Sequence, residues 1–420
     1  MKEERKSAFV PADILIPSEK CDMSKWAVIA CDQYTGEPEY WDKVEELTRD
    51  CYSAYKLVLP EVYLGKECED EKLNEIEENM TDYLKNGVFT EYKDALVYLE
   101  RTDSEGNVRA GILGAIDLEK YDFSKNSKSI VRATEATVEE RIPPRLKVRK
   151  KAKIELPHVM LLIDDPKKNI IEEVGRRKES MKKLYDFTLM MGGGSIKGWL
   201  LDEDAKDFVS ESLSLMQGYD EKDSFVFAVG DGNHSLATAK THYANLKKEN
   251  CDSKDTELSR YALCEVVNLH SDALAFEAIH RIVWNVDTDC LMSYLKDELG
   301  LVEADEKNPK GQVIGVSLKG NTTYYSIEKP KHTLAVGSLQ MALDDYVKQN
   351  GGDIDYIHGE ESVLKMAERE GSIAFVLPDM KKEELFPAVK KAGALPRKTF
   401  SMGHADDKRF YLEARKIRTE

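Results

Sequence analysis

The run Phe225-Val226-Phe227-Ala228-Val229-Gly230-Asp231-Gly232-Asn233-His234-Ser235-Leu236-Ala237-Thr238-Ala239-Lys240 leaves little freedom of local structure. It predicts an apolar strand through Val229, a turn in which glycines flank Asp231, and a helix opened by Asn233. So short and continuous an apolar run suits a buried strand of an α/β sheet. Glycine allows close backbone approach to a ligand, and a helix start offers unpaired N–H groups and the positive end of a dipole. The turn therefore suits phosphate or another small anion, and it equally suits a plain strand-to-helix connection. Asp231 adds an acceptor and His234 a titratable imidazole at the carboxyl edge of a strand, where open α/β sheets place their sites.

The rest of the chain supports a mixed α/β (α+β) fold in several domains, since 420 residues exceed one ordinary core. Strands are expected at 26–30, 159–163, 261–269 and 373–377, and hairpins at 95–118 and 312–327. Helices are expected at 37–55, 69–85, 169–191, 233–248, 338–348 and 360–370. Gly192-Gly193-Gly194-Ser195 then reads as the C-cap and linker after the helix at 169–191, because it lacks the Gly-Lys-Ser/Thr ending of a phosphate loop. The expected domains are 1–153, 154–285 and 286–420.

A net charge of -17 argues against general affinity for nucleic acid. No apolar stretch approaches a membrane span, and the charged start Met1 to Lys6 leads into no signal-type segment, so a cytoplasmic location is the expectation. The seven cysteines are scattered without a Cys-x-x-Cys pair and read as reduced thiols.

Several further groups could carry chemistry. Residues 125–153 hold ten Lys or Arg against three Glu, which fits an anion-binding edge or a solvated helix face. Within it, Glu135 is a carboxylate among cations, placed to act as a general base or to form an ion pair. Arg397, Lys398 and Thr399 follow a proline turn and could clamp phosphate. Asp231, His234 and His280 are metal ligands by type, though not by spacing, and His280 reads equally as a histidine bonded to backbone.

The motif from Val229 to Lys240 resembles the Asp-Gly-His-His-Arg signature of the bacterial and archaeal domain of unknown function 1015. Four further matches follow that family's order: Thr134-Glu135-Ala136-Thr137, Pro157 to Pro166, Ala278-Ile279-His280-Arg281 and Leu395-Pro396-Arg397-Lys398-Thr399. The same box is similar to that of the ParB and sulfiredoxin superfamily, whose members bind nucleotides. The resemblance implies a ParB/sulfiredoxin-like core with flanking α+β regions, and a nucleotide (ATP, ADP or CTP, with magnesium) cradled by Gly230, Asp231, Gly232, Asn233 and His234. Ser235 stands where that signature has arginine and Asn233 where it has histidine. A cation from elsewhere is then needed, with Arg281, Arg397 and Lys398 as candidates.

The expected function is a nucleotide-binding enzyme, a small-molecule phosphotransferase in which His234, Asp231 and Glu135 act catalytically. Gly230, Gly232, Asn233, Ser235, His280, Arg281, Arg397, Lys398 and Thr399 would bind the cofactor. The alternatives are a ParB-like nucleotide sensor without turnover and a metal-assisted hydrolase. No nucleic-acid or membrane partner is expected.

Overall fold

The computed structural model describes residues 7–216, 224–250, 253–305, 311–403 and 407–419, so Met1 to Lys6 and Cys251 lie outside the described residues. The chain is mixed α/β and forms two compact units. The first comprises Met1–Ala133, Thr137–Leu274 and His404–Glu420, and the second Thr134–Ala136 and Ala275–Gly403.

The first unit is built on a sheet that has ten strands among the described residues. Its main strands are β1 (Val97–Thr102), β2 (Val108–Asp117), β3 (Val131–Ala133), β4 (Met160–Ile163), β5 (Lys182–Thr188), β6 (Ser195–Leu200), β7 (Phe227–Asp231) and β8 (Tyr261–Asn268). They run in the spatial order β5-β6-β1-β2-β8-β4-β7-β3. Strand β4 is parallel to β8 and antiparallel to β7, and β7 is parallel to β3. All four residues of β4, Met-Leu-Leu-Ile, are buried, as a central strand covered on both faces requires. Three helices of this unit matter below: α1 (Glu69–Lys85), α2 (Ile142–Lys151) and α3 (Asn233–Glu249).

Helix 169–191 does not form as expected. A short helix ends at Arg176, and Lys182 to Thr188 becomes β5, antiparallel to β6. The cause is tight packing and alternation. Gly175 lies so close to Tyr98 that a Cβ there would stand 2.4 Å from its hydroxyl. Beyond it, Tyr185 turns inward and packs over Gly198 of β6. Gly192 and Gly194 adopt φ +76° and +75° in the loop of this hairpin, so the glycine run lies in a turn between strands, where Gly193 caps only the 3-10 turn Met190–Gly192 and no long helix. The expected helix 37–55 is likewise shorter, at Pro38–Thr48, and the expected strand at 26–30 narrows to Val28–Ile29.

The second unit is built on an antiparallel sheet with seven strands among the described residues. Within it β9 (Phe276–Trp284) pairs with both the edge strand β12 (Asp353–His358) and β13 (Ser372–Val376), while β10 (Val313–Leu318) and β11 (Asn321–Ile327) form the expected hairpin. Side chains alternate across β9. Val283 joins the cluster of Leu291, Leu295, Leu339 and Leu343, and Ile282 joins that of Val363 and Ala367, so helices cover both faces.

Candidate functional site

Strand β7 delivers Asp231 to the edge of the first unit's sheet. There Asp231 Oδ1 accepts a hydrogen bond from Gly232 N–H at 2.8 Å, and Gly232 caps α3 with φ +80°. A Cβ at Gly232 would stand 2.9 Å from Val159 Cγ2 and 3.1 Å from Val159 Cα, so glycine is required by space as well as by conformation. Asn233, His234 and Ser235 form the first turn of α3, whose N–H groups have no preceding carbonyl within the helix to receive them.

The sheet register brings a partner to this turn. Met160 of β4 lies opposite Asp231, so His158, just before β4, arrives at the start of α3. His158 Nε2 is 3.2 Å from Ser235 Oγ, and His158 Nδ1 is 2.7 Å from the Tyr411 hydroxyl. Tyr411 donates its proton to Cys31 Sγ at 3.0 Å, which leaves its oxygen to accept from His158 Nδ1–H. Burial pushes the Tyr411 phenol well above its ordinary value, so it stays neutral. With the Tyr411 hydroxyl donating to Cys31, the neutral imidazole carries its proton on Nδ1 and presents Nε2 as an acceptor to the Ser235 hydroxyl.

Charged groups flank this pair. Asp32 Oδ2 is 3.9 Å from His158 Nε2. Burial raises the Asp32 carboxyl, but the charge that His158 carries when protonated, the Gln33 amide and Lys408 outweigh it and hold it below the usual carboxylate value. Lys408 Nζ is 3.6 Å from Asp231 Oδ2, a cation at the motif itself. His234 Nε2 accepts from Val138 N–H at 3.2 Å, which puts that ring's own proton on Nδ1. A cavity of about 170 Å³ adjoins Ser235, His158, Cys31 and Tyr411.

The basic segment resolves as an ion-paired helix face. Along α2, Arg145 pairs with Glu61, Lys147 with Glu69 and Asp70 of α1, and Arg149 with Glu155, so these cations are neutralised within the unit.

The other expected residues lie in the second unit. Arg281 is fully buried, and its guanidinium donates to the carbonyls of Ile279, Arg397 and Lys398 and to Gln340 Oε1. It thus brackets the turn 397–399, in which Lys398 holds φ +55° and Thr399 N–H donates to Glu135 Oε1 at 3.2 Å. Burial raises the Glu135 carboxyl, opposed by the Lys398 N–H and its charge. Arg397 lies over the Tyr356 ring and donates to its hydroxyl at 2.8 Å. His280 sits mid-sheet in β9, where its Nδ1 accepts from Leu377 N–H at 3.1 Å, and burial pushes its pKa down. It is bonded to backbone, in a strand paired on both sides.

Among the described residues, no group of three or more His, Cys, Asp or Glu side chains is placed to hold a metal ion. No described helix is long and apolar enough to cross a membrane. The sequence pointed to Gly230 through Ser235 but not to Asp32, His158, Lys408 or Tyr411. The available signal was the Pro157-His158 pair directly before a buried strand.

The profile of the family described as "Protein of unknown function (DUF1015)" matches residues 15–346, and the chain belongs to that family. No curated protein matches it. Among solved structures, it is similar to a free serine kinase (E30A mutant) in complex with AMP, at 14% identity and TM-score 0.42, over 72% of this chain and 91% of that one. The same kinase mutant in complex with ADP gives 12% identity and TM-score 0.41 over the same shares. SbnI with C-terminal truncation from Staphylococcus aureus gives 9% identity and TM-score 0.40, over 71% of this chain and 85% of that one.

Proposed function

We propose that this chain is a nucleotide-dependent phosphotransferase acting on a small-molecule hydroxyl, with its phosphate cradle at Gly230 to Ser235. The observation that carries the reading is a convergence at one spot. The first-turn amides of α3 and Lys408 supply positive potential beside a histidine whose Nε2 is held as an acceptor 3.2 Å from Ser235 Oγ. The similarity of the box to the ParB and sulfiredoxin superfamily implies the same phosphate-holding role.

Phosphoryl transfer asks a protein mainly for positioning and charge stabilisation. The α3 amides and Lys408 offset phosphate charge, and His234 is held beside the cradle by the hydrogen bond that its Nε2 accepts from Val138. A bound nucleotide (ATP, ADP or CTP) would supply the phosphoryl group and magnesium would offset its charge, with Asp231 as the carboxylate of the cradle that would face the ion. His158 Nε2 takes the proton of the acceptor hydroxyl as that oxygen attacks the terminal phosphorus, the bridging P–O bond breaks with its electrons going to the departing nucleotide one phosphate shorter, and Asp32 stabilises the resulting imidazolium. A thermal-shift titration with ATP, ADP, CTP and GTP, with and without magnesium, tests this. At least one nucleotide should raise Tm in the native protein and fail to do so in Lys408→Ala. No shift with any of the four overturns the reading, and binding without transfer to any hydroxyl compound points to a nucleotide sensor.

A further inference from the structure

The cavity beside Ser235 and His158 is larger than ordinary packing leaves and is walled mainly by hydrocarbon: Leu57, Met80, Val148 of α2, Leu236 and Ala239 of α3, and Leu263. Its volume, about 170 Å³, is that of a single ring or a chain of about six carbons; apolar cavities of about 150 Å³ stay dry and admit benzene. The charges in its lining are paired, Arg145 with Glu61 and Arg149 with Glu155, although Arg149 Nε is buried without a hydrogen-bond partner. It also offers the Ser235 hydroxyl and, 3.2 Å from it, the acceptor nitrogen of His158. A hydrocarbon cavity that opens on one hydrogen-bonding pair selects an amphipathic molecule.

We infer that this cavity holds the hydrocarbon part of the acceptor substrate, an uncharged ring or medium-length chain ending in a hydroxyl, with that hydroxyl at Ser235 and His158. The inference deepens the phosphotransferase reading and rests on it for the word acceptor; the cavity's occupancy does not depend on it.

The test is calorimetric titration of the full chain with the primary alkanols from ethanol to decanol and with benzyl alcohol, in the absence of nucleotide. Affinity should rise about fourfold with each methylene up to about six carbons and then level or fall as the cavity fills. Ala239→Leu, which fills the cavity from α3, should abolish the dependence on chain length. Val148→Trp does the same from the partly exposed face of α2 and serves if the first variant folds poorly. An affinity that is flat with chain length, or unchanged in a folded Val148→Trp protein, overturns the inference even if nucleotides bind. Graded alkanol binding with no nucleotide response supports the cavity as a hydrocarbon site and removes the phosphotransferase reading instead.

Discussion

Ser235 Oγ and His158 Nε2 lie 3.2 Å apart although 77 residues separate them, because β4 and β7 are antiparallel neighbours and β4 begins at the sheet edge where β7 ends. The Tyr411 hydroxyl holds the far side of the imidazole and so decides which nitrogen can accept a proton. If His158 is the general base, His158→Ala should lower kcat by roughly 100- to 10,000-fold while leaving nucleotide affinity nearly unchanged. Ser235→Ala removes a hydroxyl that contacts the ring and the acceptor but leaves the base in place, and should cost far less in kcat. Steady-state kinetics of both variants, with nucleotide Kd measured separately, checks the split. Equal losses in the two would assign the chemistry to the serine.

Gly232 faces a second constraint. Its φ of +80° disfavours any L side chain, and Val159 leaves no room for a Cβ. Gly232→Ala should destabilise the first unit by about 1–3 kcal/mol and weaken nucleotide-induced stabilisation. Gly232→Asn separates the two causes, since asparagine tolerates the left-handed conformation but still collides with Val159. Urea denaturation of both variants is the measurement. A Gly232→Asn protein as stable as the native one would show that conformation alone matters.

Part of this arrangement is legible in the sequence, and the division has a physical basis. The strand-turn-helix at 227–249 and the hairpins at 97–117 and 313–327 announce themselves because their signals are local: a short apolar run, a glycine turn, strict alternation. The β5–β6 hairpin is hidden because Lys182 to Thr188 is an edge strand rich in charge, and its glycine loop looks like a helix end. The partners of the motif are hidden for a different reason. Tyr411 lies 253 residues from the His158 it orients, and no sequence period connects a C-terminal tyrosine with a histidine before a central strand.

The C-terminal segment that supplies Tyr411 and Lys408 is anchored by Arg409. This side chain is buried, donating to Glu265 Oε2 at 2.8 Å, Glu413 Oε2 at 2.7 Å and the Pro157 carbonyl at 2.6 Å. Arg409→Leu leaves the buried Glu413 without its cation and Glu265 with only Arg109, 3.5 Å away, and should cost about 3–5 kcal/mol. Chemical denaturation followed by tryptophan fluorescence reports it. A loss below about 1 kcal/mol would mean that the segment is held by its apolar contacts alone.

Acid sensitivity should come partly from His242, in the buried face of α3. Burial, and after it the charges of Arg149, Arg418 and Lys150, push its pKa from 6.5 down to about 4. Between those two values the unfolded chain binds a proton that the folded chain refuses, so stability rises with pH across this window. The contribution is complete above the unfolded value of 6.5 and is lost as pH falls toward 4. His242→Gln removes the titrating group, and its denaturation midpoint should change less than the native protein's between about pH 4.5 and about pH 7. The imidazole proton resonance of His242, followed by NMR, should titrate near pH 4; a midpoint near 6.5 would remove the basis for this prediction.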